Sequence, residues 1–265
     1  MMKGRPVVIH GAMNKVAPFV VRFLPRRWVT RLSAQVMKRE SVRMKPIAHI
    51  RTDFLTRFGI PRQGGVVGEL KGRVLFETAY RNPDALRGLE HFSHIWLIWE
   101  FSDTRRDDWS PTVRPPRLGG NKRMGVFATR SPFRPNPIGL SSVRLEQIEW
   151  HTEVGPVLHV AGADLMDGTP IFDIKPYIPY ADCHSDATGG FTDDIEKSSL
   201  EVVIPEQWLQ MIPPAKQQAL RDVLAQDPRP SYQDDPDRVY GLAFAGFDVR
   251  FTVSDGLLTV VDLLD

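Results

Sequence analysis

Apolar and polar residues alternate with a period of two through most of the chain after Met44. Segments such as "GRVLFETAY", "HIWLIWEFS", "LSSVRLEQI" and "PVLHVAGADL" are short, rich in β-branched or aromatic residues, and bounded by glycine, proline or aspartate. The Asp167-Gly168 pair in "MDGTP" is typical of a tight turn. So many short strands in one part of the chain predict a mainly β fold, either a closed barrel or a sandwich.

The pattern changes near Pro205. In "PPAKQQALRDVLAQ" the apolar residues recur at helical spacing and predict one helix, which Asp227-Pro228 ends. "FDVRFTV" and "LLTVVDL" then flank "SDG", which predicts a β-hairpin. The C-terminal part of the chain is therefore expected to be a small α+β unit.

The first 43 residues differ from the rest. They hold ten Lys/Arg and one acid, Glu40, and they lack the alternation. Such a segment could be a transit peptide, an RNA-binding arm or translated upstream sequence, with Met37 and Met44 as other starts; we favour an accessory or spurious extension. We predict this extension over 1–43, a β-barrel over 44–200 and an α+β domain over 201–265.

Net charge limits the function classes. The chain carries +2 overall and the first 43 residues carry +9, so the other 222 carry −7. A uniformly basic nucleic-acid binder is thereby excluded for the body of the protein, and any such function needs a local patch. No run of eighteen apolar residues occurs, and the single cysteine, Cys183, suits a reducing cytosol. We expect a cytoplasmic protein.

Several familiar chemistries have no motif here. The sequence has no G-x-G-x-x-G after a strand, no P-loop and no G-x-S-x-G nucleophile elbow. His91 and His94 would point to opposite faces of a strand, and even with Cys183 and His184 they make a poor zinc site. We expect no bound metal.

A basic cluster occupies residues 104–134 and is opposed only by Asp107 and Asp108. Proline and glycine fix the backbone around it, as in "SPTVRPPRLGGNKRMG" and "ATRSPFRPNPIGLS", and rigid loops lose less entropy on binding an anion. Arginine suits bidentate recognition of phosphate or carboxylate, so RNA is the expected partner. The cluster comprises Arg105, Arg106, Arg114, Arg117, Lys122, Arg123, Arg130 and Arg134.

An acidic turn contrasts with that cluster. In "GADLMDGTPIFDIKPY", Asp164, Asp167 and Asp173 follow the end of a strand. They either cap the turn or meet the hydroxyl and amino groups of a small ligand.

Five segments together carry a resemblance. "PRQGG" (61–65), "ALRGLEHFSHIWLIWEF" (85–101), "PTVRPPRLGGNKRMGVFATRSPFRPNPIGLS" (111–141), "DLMDGTPIFDIKPYIPY" (164–180) and "VLAQDPRPSY" (223–232) resemble the TrmO family, also called TsaA-like or YaeB-like. The resemblance implies a β-barrel with a smaller C-terminal domain, commonly dimeric. It also implies S-adenosylmethionine-dependent methylation of the N6 nitrogen of threonylcarbamoyladenosine, next to the anticodon of threonine tRNA.

The resemblance also implies which residues contact the cofactor. The family often has a histidine at the position of Ser102, so this contact departs from the family pattern. The implied set is Pro61, Arg62, Gln63, Ser102, Asp103, Arg130, Leu140, Asp164, Leu165, Met166 and Asp167.

Substrate contacts follow from charge and stacking. A guanidinium that clamps the threonyl carboxylate would orient the base, and the sequence leaves Arg114, Arg117, Arg123 and Arg134 as equal candidates. The expected tRNA contacts are these four arginines with Asn136, Lys175, Arg229 and Tyr232.

Some alternatives stay open at this stage. The general base is unassigned, with Asp164, Asp167, Tyr177 and water as candidates. An RNA-binding module that recognises modified tRNA without methylating it is the second hypothesis, and a metal-dependent hydrolase using the histidines is a weaker third.

Overall fold

The computed structural model describes residues 44–104, 108–115, 122–193, 199–230 and 235–264. Six antiparallel strands within these ranges close into a barrel, in the order β1-β2-β7-β6-β3-β8. The barrel strands are β1 (Ala48–Arg51), β2 (Lys71–Phe76), β3 (His94–Glu100), β6 (Ile138–Glu149), β7 (Val157–Ala161) and β8 (Pro170–Pro176). Two short strands, β4 (Thr112–Val113) and β5 (Met124–Gly125), pair as a separate ribbon.

The closed barrel confirms the predicted fold class and decides between barrel and sandwich. Inward-facing side chains alternate with outward-facing ones, as in β2, where Val74 is buried and Arg73 is exposed. The barrel core is apolar and includes Ile50, Ile95, Leu97, Leu158 and Ile171.

One end of the barrel gathers six strand ends, and we call it the upper end. β1, β3 and β7 finish there, whereas β2, β6 and β8 begin there. The tight turn predicted at Asp167-Gly168 leads into β8, and Gly168 has the positive φ of 77° that glycine adopts without strain. Loops from distant parts of the sequence therefore meet at this end.

A second sheet follows the barrel. It has the order β10-β11-β12-β9, and β9 (Glu201–Val203) pairs in parallel with β12 (Leu257–Leu264). β10 (Tyr240–Phe244) and β11 (Phe247–Ser254) complete it, and β11 and β12 form the predicted hairpin.

Three α-helices lie in the described residues: α1 (Pro179–Asp182), α2 (Glu206–Leu209) and α3 (Pro214–Ala225). The helix α3 confirms the helical spacing seen in the sequence. Its buried face consists of Ala219, Leu220, Val223 and Leu224.

The segment between β1 and β2 packs into the core of the second sheet. Phe54, Val67 and Leu70 belong to that core cluster, although they precede the sheet by more than a hundred residues. The Asp53 carbonyl also accepts a hydrogen bond of 3.0 Å from the Ala245 amide, and the Asp53 carboxylate pairs with Lys216 of α3. The chain from residues 61 to 65 is thus flanked on both sides by residues that pack in this one core.

None of the helices in the described part of the chain is long and apolar enough to cross a membrane. Within the same ranges, no three or more His, Cys, Asp or Glu side chains are grouped so that they could hold a metal ion. The predicted N-terminal extension, residues 1–43, lies outside the described residues.

Candidate cofactor site at the upper end of the barrel

Two loops approach each other closely at the upper end. The Gly65 amide donates to the Gly162 carbonyl at 2.9 Å, and Gly162 has a positive φ of 79°. A Cβ on Gly64 would lie 3.1 Å from the Ser142 carbonyl oxygen and 3.3 Å from Asp164 Oδ1, so a larger residue fits there only if its neighbours move. The glycines of "PRQGG" let this turn reach the acidic turn.

A buried polar chain lies beneath that contact. The Ser141 hydroxyl donates to Asp164 Oδ1 at 2.6 Å, and Trp99 Nε1 donates to the Ser141 oxygen at 3.0 Å. Burial raises the pKa of the Asp164 carboxyl above its ordinary value, although the Ser141 hydrogen bond and the Arg130 charge act in the opposite direction. The carboxylate is held in one orientation and is only partly exposed to solvent.

Arg130 joins this cluster from residues 128–141, "ATRSPFRPNPIGLS", which we call the proline-arginine segment. Its guanidinium donates to Gln63 Oε1 and acts on the charge of Asp164. Gln63, Arg130 and Asp164 come from three separate segments, and all three were predicted cofactor contacts.

The ring of Trp99 determines which residue can face it on β6. Its indole lies against Gly139, where a Cβ would come within 2.2 Å of the ring. Trp99 also packs edge-on against Phe101, with ring centroids 4.2 Å apart. The glycine thus lets the indole lie flat enough for Nε1 to reach Ser141.

Asp167 is held by the end of β1. Its Oδ2 accepts from Arg51 at 2.8 Å, and its Oδ1 accepts from the Thr52 amide at 3.0 Å. The Asp167 amide in turn donates to the Phe54 carbonyl at 2.8 Å. The acidic turn is therefore tied to β1 as well as to the 61–65 turn.

The other predicted cofactor residues surround this cluster in different ways. Pro61 is buried, whereas Arg62 is exposed. Leu140 is 54 % exposed and lies on the outer face of β6. Ser102 and Asp103 are exposed in a 3-10 turn after β3.

The turn at residues 102–104 is linked to the proline-arginine segment by a hydrogen bond of 2.8 Å from the Phe101 amide to the Pro137 carbonyl. The side chain of Leu165 lies in the barrel core, and its carbonyl accepts from the Thr52 hydroxyl. Met166 is half-buried, and its carbonyl accepts from the Thr169 hydroxyl. A ligand would contact Leu165 through its backbone.

The predicted substrate arginines are not equivalent. Arg134 is half-buried, and its guanidinium donates to the carbonyls of Thr129 and Ser131, at 2.9 and 3.4 Å. It braces the loop that carries Arg130. Arg114 and Arg123 are exposed on or beside the β4–β5 ribbon, and Asn136 is exposed in the proline-arginine segment. Arg117, Arg105 and Arg106 lie outside the described residues.

Three other predicted residues lie away from the upper end or are occupied. Lys175 and Tyr177 are at the far end of β8, a strand that spans about 23 Å, and Tyr177 packs on Trp96 and His94. Arg229 is paired with Asp227 through two contacts of 2.9 Å, and its side chain is only 12 % exposed. Tyr232 lies outside the described residues.

Four contributors were missed from the sequence: Ser141, Trp99, Arg51 and Thr52. Ser141 and Trp99 face inward on strands whose other inward residues are apolar, apart from the glycine opposite Trp99. Buried polar groups are hydrogen-bonded as a rule. The Ser141 hydroxyl and the Trp99 indole nitrogen, both on inward faces, were therefore the signal from which a hydrogen-bonded chain could have been predicted. Arg51 and Thr52 gave no comparable signal.

The side chains that meet here suit an adenosyl amino acid. A carboxylate and an amide oxygen can accept from ribose hydroxyls or an ammonium group, and a guanidinium can bind a carboxylate. Exposed Leu140 can cover an apolar face. The residues therefore fit S-adenosylmethionine.

Comparison with known proteins agrees with this fit. A family model described as the tRNA-methyltransferase O N-terminal domain matches residues 49–183, and the TrmO C-terminal domain matches residues 197–265. The Escherichia coli K12 protein named tRNA (adenine(37)-N6)-methyltransferase is 42 % identical over 223 residues, which are 81 % of this chain and 94 % of that one. A protein of the same name from Eikenella corrodens is 48 % identical over 170 residues, 64 % of this chain and 95 % of that one.

A solved structure extends the likeness to three dimensions. The crystal structure of TrmO from Pseudomonas aeruginosa superposes with a TM-score of 0.68 at 33 % identity, covering 85 % of this chain and 99 % of that chain. Both domain models, the relatives and the barrel agree, and the chain belongs to the tRNA-methyltransferase O family.

Proposed function

We propose that the protein transfers a methyl group from S-adenosylmethionine to the N6 nitrogen of threonylcarbamoyladenosine, next to the anticodon of threonine tRNA. The family is one of S-adenosylmethionine-dependent tRNA methyltransferases. The observation that carries the proposal is the cluster of Gln63, Arg130 and Asp164, which unites three separate segments around one half-buried carboxylate. The catalytic hypothesis is thereby favoured over a binding module that does not methylate.

The proposed role of the cofactor residues is to bind S-adenosylmethionine and to orient it. When bound, the cofactor supplies a methyl group on a positively charged sulfur. An anion on that sulfur would stabilise the ground state more than the transition state, so Asp164 and Asp167 are assigned to hydroxyl or amino groups. Arg130 is assigned to a carboxylate, and Leu140 to an apolar face. Alignment of the two reactants then supplies most of the acceleration.

The acceptor must lose a proton as the new bond forms. In the balanced reaction a carbon–nitrogen bond forms, the carbon–sulfur bond breaks, the sulfur becomes neutral, and the N6 proton departs. Asp167 is engaged by Arg51 and Thr52, and Tyr177 lies at the far end of β8. Asp164 is assigned to the cofactor and already accepts from Ser141, so water suits proton removal better than these three side chains.

The tRNA contacts are assigned by charge and place. A guanidinium among Arg114, Arg117, Arg123 and Arg134 would clamp the threonyl carboxylate, and Arg114 and Arg123 are supported by their exposure. The Arg134 guanidinium already donates to loop carbonyls. If it binds the threonyl carboxylate, it would do so while it also stabilises the loop that carries Arg130. Asn136, Lys175, Arg229 and Tyr232 complete the proposed set, with Lys175 serving a part of the tRNA far from the modified base.

The wider assignments belong to the same proposal. Residues 44–200 would form the catalytic domain and 201–265 would contact tRNA. A cytoplasmic homodimer is proposed, and the side chain of Ile138, exposed on the outer face of β6, supports a surface that the second chain would cover. Exposed Cys183 suits a reducing compartment. Light scattering of the purified protein would give a mass of two chains.

Methyl transfer from labelled S-adenosylmethionine tests the proposal. Threonine tRNA with and without its threonylcarbamoyl group is the matched substrate pair. Label on the modified tRNA alone is expected, because the carboxylate clamp has no partner on unmodified adenosine. Equal labelling of both would contradict the clamp, and cofactor binding with no labelling of either would point to another substrate.

A further inference from the structure

A charged cleft on the outer wall of the barrel has no part in the function described so far. It has a volume of about 420 Å³, within the range of ligand pockets. Arg51, Lys71, Arg73 and Lys216 contribute positive charge to its lining, against the carboxylates of Asp53 and Glu146, and His159 lies beside them.

Two arginines face each other across this wall. Arg51 on β1 and Arg73 on β2 are direct partners in the antiparallel register, and both are exposed. Arg73 is also the direct partner of His159 on β7. Like charges placed opposite one another on a sheet are destabilising, so this arrangement favours an anion beside Arg73 in addition to the Asp167 carboxylate that pairs with Arg51.

The carboxylates of the cleft are already occupied by other cations. Asp53 pairs with Lys216, and Glu146 accepts from Lys71 at 2.7 Å and from Arg144 at 2.9 Å. Partial burial raises the pKa of Glu146, but the hydrogen bonds and charges of Lys71 and Arg144 outweigh it and hold that pKa below its ordinary value. Glu146 is thus ionised and already ion-paired with Lys71 and Arg144, and it forms no ion pair with Arg73 in the described residues.

The other cations also have partners. Arg51 binds Asp167, and His159 Nε2 lies 3.0 Å from Glu149. Arg73 alone of the cations lining the cleft has neither a hydrogen bond nor an ion pair within the described residues. Its guanidinium is free to take a ligand with bidentate geometry.

The cleft adjoins the cofactor site. Arg51 and Thr52 line it, and both bind the carboxylate of Asp167. A polynucleotide whose modified base lies at the upper end continues past it as a series of phosphates. Arg73, the cross-strand partner of the Arg51 that binds Asp167, is well placed for such a phosphate, whereas a free anion would need no connection to the site.

We propose that this cleft binds a backbone phosphate of the tRNA, with Arg73 as the principal ligand. The inference rests on the proposed function, since tRNA is taken as the substrate. Arg73 positions the tRNA by charge and takes no part in base recognition.

Salt-dependent tRNA binding by the full chain tests this. In Arg73→Gln, affinity for threonine tRNA falls and the slope of log K against log salt decreases by about one. Arg87→Gln is the matched control, because it removes the same charge from an exposed arginine whose one ion-pair partner among the described residues is Asp84. That control keeps the wild-type slope, and both variants keep wild-type S-adenosylmethionine affinity.

Charge reversal separates binding from folding. Arg73→Glu sets a carboxylate opposite Arg51 and His159, so the melting temperature holds or rises while tRNA affinity falls further than in Arg73→Gln. Loss of stability together with affinity would mean a structural role and would overturn the proposal.

Two further outcomes would also overturn it. One is an unchanged salt slope in Arg73→Gln while the wild-type protein methylates tRNA normally, which leaves the proposed function intact. The other is stabilisation by inorganic phosphate that requires Arg73 without any change in tRNA binding, which would assign the cleft to a free anion. Failure of the wild-type protein itself to methylate tRNA would instead refute the proposed function.

Discussion

At the scale of single residues, Asp164 combines burial with an ionisable group. Burial raises its pKa above the ordinary value of 3.8. Between the unfolded and folded pKa values the folded state binds more protons than the unfolded state. Stability therefore decreases as pH rises through that interval, and the whole cost is present above the folded pKa.

Asp164→Asn removes this titration. We expect the stability of the wild type relative to the variant to fall as pH rises from about 3 through the folded pKa. Denaturant unfolding at a series of pH values measures it, with Asp248→Asn, at a half-buried aspartate whose side chain is 44 % exposed, as control. The variant should also bind S-adenosylmethionine more weakly, because a carboxylate acceptor is lost. A wild type that gains stability relative to Asp164→Asn over this interval would contradict the stated origin of the shift.

At the scale of elements, the register of β3 against β6 creates the polar chain. Trp99 pairs directly with Gly139, and Ser141 lies two residues further along β6, on the same inward face. The hydrogen bond from the indole to Ser141 depends on the missing side chain at 139.

Gly139→Ala should therefore cost about 1–3 kcal/mol of unfolding free energy, the usual range for an overpacked site. It should also weaken S-adenosylmethionine binding, since displacement of Trp99 loosens Ser141 and Asp164. Gly68→Ala is the control, because a Cβ there would meet no atom within 4 Å. Denaturant unfolding and calorimetric titration measure the two effects. Equal stability of both variants would show that Trp99 can move without consequence.

The elements also show what the sequence could predict. Alternation located the strands, and helical spacing located α3 with its buried face. The choice between barrel and sandwich could not follow from alternation, because both folds share a period of two. The family resemblance supplied it. Ser141 was missed because its partners, Trp99 and Asp164, are 42 and 23 residues away, and only the closed register brings them together.

At the scale of the whole molecule, the second sheet supports the candidate cofactor site. Phe54, Val67 and Leu70 lie in its core, on both sides of the 61–65 turn that carries Gln63. This connection gave no sequence signal, since the segment between β1 and β2 has no regular apolar period. The tertiary packing of an irregular segment is the part of a fold that periodicity predicts least.

The proline-arginine segment connects two separate parts of the barrel. Its residues reach both the upper end, through Arg130, and the 102–104 turn, through Pro137. Proline fixes the backbone between these contacts, so the cation proposed for the cofactor and the exposed groups proposed for tRNA are held on one rigid segment.

The cofactor assignment itself is tested most directly by calorimetric titration of S-adenosylmethionine into the wild type and into Arg130→Ala. Arg87→Ala, an exposed arginine outside the cluster, is the control. We expect binding by the wild type and by the control, and loss of binding in Arg130→Ala with its unfolding transition unchanged. Undiminished affinity in a folded Arg130→Ala would contradict the assignment of Gln63, Arg130 and Asp164 as the cofactor site.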